Sequence, residues 1–187
     1  MPCDQSTSPL SNLHKKKIMK KPTERAPELH LDLINGTTWD LAKQEPENFT
    51  MLIFYRGLHC PVCKKYLEEL QTKIDTFKDK GVNVVAASMD SEKRAKISTE
   101  KWDIESIPLA YEMSESKARE WGLYISNSIK DAEPEVFSEP ALFLINKDGT
   151  IYSSSIQTMP FARPGFDDLL KSIDFILKEE YPARGGK

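Results

Sequence analysis

The sequence predicts an α/β fold, because apolar strand-like segments alternate with helix-like segments along its middle. An apolar run at 51–55 is followed by residues with helical spacing from about 61 to 80. A second apolar run, at 82–88, is followed by a polar helical segment at 91–102. Strands that alternate with helices in this way lie parallel in one sheet. We therefore expect a central sheet covered by helices.

The elements on either side of this unit follow from local signals. Residues 27–33 alternate polar and apolar side chains as an edge strand does, and the Asn35-Gly36 pair that follows is a hairpin turn signal. A short strand is expected at 107–111, and then a helix that Ser114 caps and Gly122 ends.

The C-terminal third reads as a hairpin followed by a helix. Two apolar segments, 141–145 and 150–152, flank the turn signal Asn-Lys-Asp-Gly at 146–149. The spacing of apolar residues from about 166 to 179 predicts the last helix.

We expect Cys60 and Cys63 to be the reactive residues, because they lie where the predicted strand at 51–55 is followed by a predicted helix. A helix N-terminus presents unpaired backbone N–H groups and the positive end of the helix dipole, which lowers the pKa of a thiol placed there. We expect Cys60 to be an exposed nucleophile at the helix N-cap and Pro61 to occupy the first helical position. Cys63, one turn further in, would attack a mixed disulfide on Cys60.

Three basic residues surround the pair in the sequence, Arg56, Lys64 and Lys65. Any of them could favour a thiolate electrostatically, and the sequence does not distinguish among them.

Other uses of a Cys-x-x-Cys pair are less well supported. A structural zinc site needs four ligands, but there is no second cysteine pair, and the three histidines lack ligand spacing. Haem attachment of the c type needs a histidine directly after Cys63, where the sequence has Lys64. We therefore predict no metal and no organic cofactor. Two buried, inert cysteines remain an alternative.

Composition indicates one soluble domain. The 187 residues, 39% hydrophobic and 29% charged, suit one globular core, and a net charge of −3 argues against a nucleic-acid partner. No apolar run is long enough for a membrane span, and the N-terminus has no apolar stretch of the secretory kind. With only three cysteines, a reducing compartment is expected, so we predict a cytoplasmic location.

The N-terminal residues differ in character from the rest of the chain. Residues 1–25 are polar and basic without sustained periodicity, so we expect a flexible arm followed by a single domain at 26–187. Cys3, in this arm, is interpreted as a bystander thiol.

Several segments together point to a known family. They are the opening strand at 26–31, the stretch Phe-Tyr-Arg-Gly-Leu-His-Cys-Pro-Val-Cys at 54–63, the strand and helix at 107–122, the segment at 139–150, and Thr-Met-Pro-Phe-Ala-Arg-Pro at 158–164. From residue 26 to the C-terminus the chain resembles the redoxin branch of the thioredoxin fold, the peroxiredoxin-like AhpC/TSA proteins. The resemblance implies a central mixed β-sheet flanked by helices, with the N-terminal strand extension of redoxins.

The same resemblance suggests two supporting residues. Pro140 would be a cis proline packed beside the cysteine pair, and Arg163 would be a distant arginine that reaches the thiolate. The alternatives are that Pro140 is an ordinary trans proline at the start of a strand and that Arg163 is a surface arginine.

One departure from the family bears on the activity. Typical peroxiredoxins have a threonine three residues before the reactive cysteine, where this sequence has Gly57, and a proline seven before it, where this sequence has Ile53. Neither residue supplies the hydroxyl that helps to hold a peroxide. The Cys-Pro-Val-Cys arrangement instead resembles the dithiol of thioredoxins and glutaredoxins.

The predicted function is that of a peroxiredoxin-like thiol-disulfide oxidoreductase that cycles between the dithiol and the Cys60–Cys63 disulfide. Its partners would be a disulfide or peroxide substrate and an external dithiol reductant, with no nucleic acid and no membrane. A peroxidase acting on hydrogen peroxide or alkyl hydroperoxides is the first alternative, and a non-catalytic redox sensor or thiol-switched binding module is the second. The sequence does not specify the oligomeric state, and a homodimer is compatible with it.

Overall fold

A mixed five-stranded β-sheet forms the centre of the computed structural model, which describes residues 20–187. The strands are His30–Asp32 (β1), Thr38–Asp40 (β2), Phe49–Phe54 (β3), Val82–Ala87 (β4), Leu109–Ala110 (β5), Ile125–Asn127 (β6), Val136–Ser138 (β7), Ala141–Asn146 (β8) and Ile151–Ile156 (β9). The helices are Pro61–Gln71 (α1), Ile74–Asp79 (α2), Glu92–Lys101 (α3), Glu115–Glu120 (α4) and Phe166–Glu179 (α5), with a 3₁₀ turn at Leu41–Lys43.

Strand β3 is the centre of the sheet. The strand order is β5-β4-β3-β8-β9, in which β3 pairs with β4 in parallel and with β8 antiparallel. The outer pairs follow the same division, since β4–β5 is parallel and β8–β9 is antiparallel. The predicted α/β class, with a mixed sheet of the thioredoxin type, is confirmed.

The sheet separates two apolar cores. All six residues of β3 are buried, and because side chains alternate along a strand, Met51 and Ile53 face one core while Leu52 and Phe54 face the other. Side chains of α1, α2, α3 and α5 fill the first core, and those of α4 and the β1–β2 hairpin fill the second. No helix among residues 20–187 is long and apolar enough to cross a membrane.

The N-terminal part of the described chain is packed against the sheet. The β1–β2 hairpin turns at Gly36, which has φ +81°, as the Asn-Gly signal predicts. Earlier, the Thr23 N–H donates to the Ile151 carbonyl at 2.7 Å, and Arg25 forms a β-bridge with Thr150. The predicted arm at 1–25 therefore extends too far, since these backbone groups satisfy partners at the start of β9. Cys3 lies outside the described residues.

The long helix predicted from about 61 to 80 is two helices. Helix α1 ends at Gln71 and α2 begins at Ile74, with Lys73 between them at φ −120° and ψ 2°. Thr72 contributes to the break, because its hydroxyl donates to the Glu69 carbonyl at 2.7 Å instead of remaining in solvent.

One element has no counterpart in the sequence prediction, the antiparallel hairpin of β6 and β7. Each strand has only three residues, and the segment 128–135 connects them. Phe137, on β7, is buried and faces the loop that leads to the cysteine pair. This hairpin therefore contributes to the candidate site.

Candidate active site

Cys60 caps the N-terminus of α1, as the sequence predicts. Its backbone is extended, at φ −103° and ψ 102°, and its Sγ accepts a hydrogen bond from the Cys63 N–H at 3.3 Å. Pro61 occupies the first helical position, where its missing N–H leaves no hydrogen bond unmade. Both cysteines are free thiols, so the structure represents the reduced form of the pair.

The two thiols are electrostatically unequal. The pKa of Cys60 is lowered to about 6, mainly by the hydrogen bond from the Cys63 side chain. Burial opposes this change, whereas the Cys63 backbone N–H, Arg56 and Arg163 lower the pKa further. The same side-chain bond, together with burial, raises the pKa of Cys63 well above its ordinary value. Cys60 is therefore the thiolate near neutral pH, and Cys63 is the thiol that donates to it.

Contrary to the sequence prediction, Cys60 is not exposed, and Cys63 is buried as well. Cys60 is 2% exposed and Cys63 is 0% exposed, and both belong to the apolar core that also contains Tyr55 and Trp102. The start of α1 faces this core, so an N-cap position gives Cys60 free backbone donors without giving it a solvent-facing side chain.

Arg163 reaches α1 from the segment that precedes α5. Its Nη2 donates to the Val62 carbonyl at 2.9 Å, and its guanidinium lies 4.0 Å from the centre of the Tyr66 ring. The Tyr66 hydroxyl in turn donates to the Pro164 carbonyl at 2.7 Å. The arginine singled out through the family resemblance therefore lies beside the cysteine pair, where its charge lowers the pKa of both thiols.

Arg56 lies against the β6–β7 hairpin. Its Nε is 3.5 Å from Glu139 Oε2, its Nη2 is 3.8 Å from Glu133 Oε1, and its guanidinium lies 4.6 Å from the Phe137 ring centre. Ser126 orients Glu139 by donating to its other carboxylate oxygen at 2.6 Å. The sequence prediction includes Arg56 but misses the residues that hold it, because no local pattern links them to position 56.

The third cation considered in the sequence, Lys64, is directed elsewhere. Its Nζ lies 3.5 Å from the Glu68 carboxylate and donates to the Lys101 carbonyl at 3.2 Å. Lys65 is exposed, and Arg56 and Arg163 are the cations that lower the pKa of Cys60.

His59 is a further residue that sequence reasoning did not select. Its ring packs on Phe137 with centroids 4.7 Å apart, and within the described chain its two buried ring nitrogens have no hydrogen-bond partner. Burial lowers its pKa first, and the charge of Arg56 lowers it further. His59 is therefore a neutral imidazole next to Cys60 in the chain.

Pro140 requires a correction, because no peptide bond among residues 20–187 is cis. It is a buried trans proline directly before β8, and its carbonyl accepts from the Gln157 N–H at 2.9 Å. The first position of a strand suits trans proline, which has no N–H to offer the ladder. Ala141, which follows Pro140, pairs with Phe54, the last residue of β3. Pro140 therefore still lies at the end of the sheet where the chain leaves β3 toward Arg56.

Within residues 20–187, no group of three or more His, Cys, Asp or Glu side chains is arranged to hold a metal ion.

Comparison with solved structures identifies the fold. Peroxidoxin BcpB from Mycobacterium tuberculosis is 18% identical, with 84% of this chain and 98% of that chain covered and a TM-score of 0.69. Peroxiredoxin 6 of Arenicola marina is 18% identical over 85% of this chain and 74% of that chain, with a TM-score of 0.72. Mycobacterium tuberculosis AhpC is 14% identical over 89% and 98%, with a TM-score of 0.70. At these identities the likeness establishes a peroxiredoxin-like thioredoxin fold.

The family itself is established at the level of sequence. No curated protein matches the chain significantly. The model of the AhpC/TSA family, however, matches residues 22–154, more than two thirds of the chain. A match of this length also confirms the predicted class of activity, that of a thiol-dependent oxidoreductase. The chain belongs to the AhpC/TSA family.

Proposed function

We propose that the protein reduces its substrate through a dithiol–disulfide cycle of Cys60 and Cys63. The opposite pKa shifts of the two thiols carry this proposal: Cys60, at about 6, supplies a thiolate, and Cys63 keeps its proton until it is needed. The geometry supports it as well, because the Cys60 Sγ caps the N-terminus of α1 and accepts the Cys63 N–H at 3.3 Å, an arrangement that stabilises a thiolate.

With a disulfide substrate, the Cys60 thiolate attacks one sulfur, the substrate S–S bond breaks, and the other substrate sulfur leaves as a thiolate that takes up a proton. Cys63 then loses its proton and attacks the Cys60 sulfur. The second substrate thiol is released and the Cys60–Cys63 disulfide remains. An external dithiol reduces this disulfide by the same exchange, so two electrons pass from the reductant to the substrate.

A second candidate, reduction of hydrogen peroxide or an alkyl hydroperoxide, is favoured by the burial of Cys60. A small oxidant needs less room than a folded protein does to reach a cysteine that is 2% exposed. The thiolate attacks one peroxide oxygen, the O–O bond breaks, and water or an alcohol leaves after protonation. Cys63 then attacks the sulfenic acid on Cys60, which expels water and forms the same disulfide.

The two arginines are proposed to stabilise negative charge in either reaction. Arg163 and Arg56 both lower the pKa of Cys60, which favours the thiolate before attack. Pro61 contributes by starting α1 at the correct residue, so that Cys60 faces the free N–H groups of the first turn. Pro140, now a trans proline, supports this end of the sheet through backbone packing rather than through a cis bond.

A reducing compartment fits this cycle, because both thiols must be regenerated after each turnover. We therefore keep the cytoplasmic location as a proposal, together with an external dithiol as the partner. A homodimer is likewise a proposal, and sedimentation of the reduced and oxidised protein would test it.

Two assays with the same three proteins test the function. Dithiol-driven reduction of a protein disulfide and consumption of hydrogen peroxide are measured for wild type, Cys60→Ser and Cys63→Ser. The dithiol cycle predicts that Cys60→Ser abolishes turnover of the accepted substrate and that Cys63→Ser arrests it after one event. Peroxide consumption that continues unchanged in Cys63→Ser would instead assign a one-cysteine peroxidase.

The substrate assignment and the switch hypothesis are separated by the same data. Turnover of peroxide without turnover of the protein disulfide supports the small-oxidant reading of the buried site. Turnover of neither, with a disulfide that forms and opens reversibly, would refute the enzyme proposal and favour a redox switch.

A further inference from the structure

Gly57 and Asp90 are packed against each other beneath the loop that leads to Cys60. Gly57 has φ +127°, a conformation that side chains rarely adopt, and a Cβ placed there would lie 2.6 to 2.7 Å from three atoms of the Asp90 carboxylate. The space that a side chain at 57 would need is therefore filled by the carboxylate of a residue that follows β4.

We propose that Asp90 is a positioning residue for the reaction: its carboxylate fixes the loop at 57–60 and so holds Cys60 Sγ at the N-terminus of α1. The function of this residue depends on the proposed role of Cys60 as the nucleophile, because a loop that held an inert thiol would need no such anchor.

The contacts of Asp90 support this assignment. Its Oδ2 accepts the Leu58 N–H at 2.6 Å, and its Oδ1 accepts Nε of Arg94 at 2.7 Å, while the residue itself is 1% exposed. A carboxylate buried to this degree is costly unless such partners are present. One charge-assisted hydrogen bond therefore ties the carboxylate to a backbone N–H of the active-site loop, and a second ties it to the Arg94 side chain.

Asp90 is itself held in place from both sides. Its N–H donates to the Ser88 Oγ at 3.3 Å, and its carbonyl accepts the Glu112 N–H at 2.8 Å. The loop it anchors is short and closed, since the Cys60 N–H donates to the Gly57 carbonyl at 3.1 Å. Because the Leu58 N–H is held by Asp90, the position of Cys60 at the N-cap of α1 is fixed as well.

Arg94 extends the same network to the β6–β7 connection. Its Nη2 donates to the Ala132 carbonyl at 3.3 Å, within the segment that also contributes Glu133 to Arg56. The hydrogen bonds of Asp90 and Arg94 therefore connect the active-site loop to the β6–β7 connection.

The test compares Asp90→Ala with Asp90→Asn and with Asp40→Ala. Asp40 is a matched control, because its carboxylate also anchors a backbone N–H, that of Ala42 at 2.9 Å, at the 3₁₀ turn after β2. The pKa of Cys60 is measured from ultraviolet thiolate absorbance against pH in the reduced full-length protein, without substrate, after far-ultraviolet circular dichroism has shown that each variant folds.

The direction in which the Cys60 pKa changes distinguishes a positioning role of Asp90 from a direct effect of its negative charge. Removing a negative charge alone would lower the Cys60 pKa or leave it unchanged. Release of the loop would weaken the hydrogen bonds to Sγ, so Asp90→Ala should raise the pKa by about 1 and cut the thiolate fraction at pH 6 about fivefold. Asp90→Asn, which keeps an oxygen for the Leu58 N–H, should show less than half this shift, and Asp40→Ala none.

An unchanged or lower pKa in a folded Asp90→Ala protein would overturn the proposal, as would equal shifts in Asp90→Asn and Asp90→Ala. Hydrogen exchange of the Leu58 amide in the wild type gives a reading that does not depend on the stability of a variant. Slow exchange is expected, and exchange at the rate of a free loop amide would also overturn the anchor. A wild type with a low Cys60 pKa but no turnover would refute the proposed function, whereas the pKa of Cys60 in Asp90→Ala would still decide whether Asp90 positions the Cys60 sulfur.

Discussion

Replacing Cys63 with alanine should raise the pKa of Cys60, because the Cys63 thiol is the largest single source of the thiolate's stability. The substitution removes a side chain that is 0% exposed and that donates to the Cys60 sulfur. Cys63→Ser is the matched control, since its hydroxyl occupies nearly the same space and can still donate.

The expected size follows from the kind of hydrogen bond that is lost. A bond to a charged acceptor contributes about 1.5–3 kcal/mol, and one pKa unit corresponds to about 1.4 kcal/mol. The Cys60 pKa should therefore rise by about 1–2. It starts from about 6 in the wild type. The Cys63 backbone N–H, 3.3 Å from the sulfur, and the two arginines remain, so the value should stay below that of a free thiol.

The assay is a pH titration of thiolate absorbance in the reduced proteins, with Cys60→Ser as the blank. Rates of alkylation at several pH values check the same quantity, because only the thiolate reacts. If Cys60 has the wild-type pKa in a folded Cys63→Ala variant, the Cys63 thiol is not the hydrogen-bond donor. The proposal that Cys60 supplies the thiolate and Cys63 the stabilising thiol is then refuted.

Three further outcomes follow from the same geometry. In the wild type, alkylation of Cys60 should be about tenfold faster at pH 7.5 than at pH 5, because raising the pH through a pKa of about 6 converts thiol to thiolate; equal rates would contradict the lowered pKa. Gly57→Ala should lower the free energy of unfolding, measured in urea, by about 2–4 kcal/mol. Gly36→Ala, also at positive φ but with open space around it, should lower it by about 1 kcal/mol. Equal losses of stability in the two variants would exclude a steric role for Asp90. Arg163→Ala should raise the Cys60 pKa and Arg163→Lys should largely restore it, since a cation near the sulfur favours the charged form; a lower pKa in the alanine variant would contradict this.

The parts of the fold that the sequence predicted well are those fixed by local chemistry. Pro61 lacks an N–H and has a preset φ, so a helix that starts at this residue after a buried strand follows from neighbouring residues alone. Ser114 caps α4, as predicted, through a local hydrogen bond from the N–H three residues later, and the structure shows Ser91 capping α3 in the same way. Such signals act over a few residues and need no knowledge of the tertiary structure.

The parts it missed depend on contacts that form only in the folded chain. Strands β6 and β7 have three residues each and no clear alternation, and their stability comes from the burial of Phe137 rather than from a sequence period. The burial of Cys60 is of the same kind, because the core that surrounds it includes Trp102, at the far end of α3. An N-cap position specifies backbone geometry, and it does not specify solvent exposure.

The charges around the cysteine pair show why distant partners matter for the chemistry. Within residues 20–187, Arg56 lies near Glu133 and Glu139, and Arg94 pairs with Asp90, so both of these cations have carboxylate partners. Arg163 forms no ion pair in this part of the chain, and one of its buried nitrogens has no hydrogen-bond partner there. A half-buried cation without a carboxylate partner is stabilised by any nearby group that can become negative. Because the Cys60 thiolate is such a group, its ionisation supplies part of the charge balance that no acidic side chain provides for Arg163.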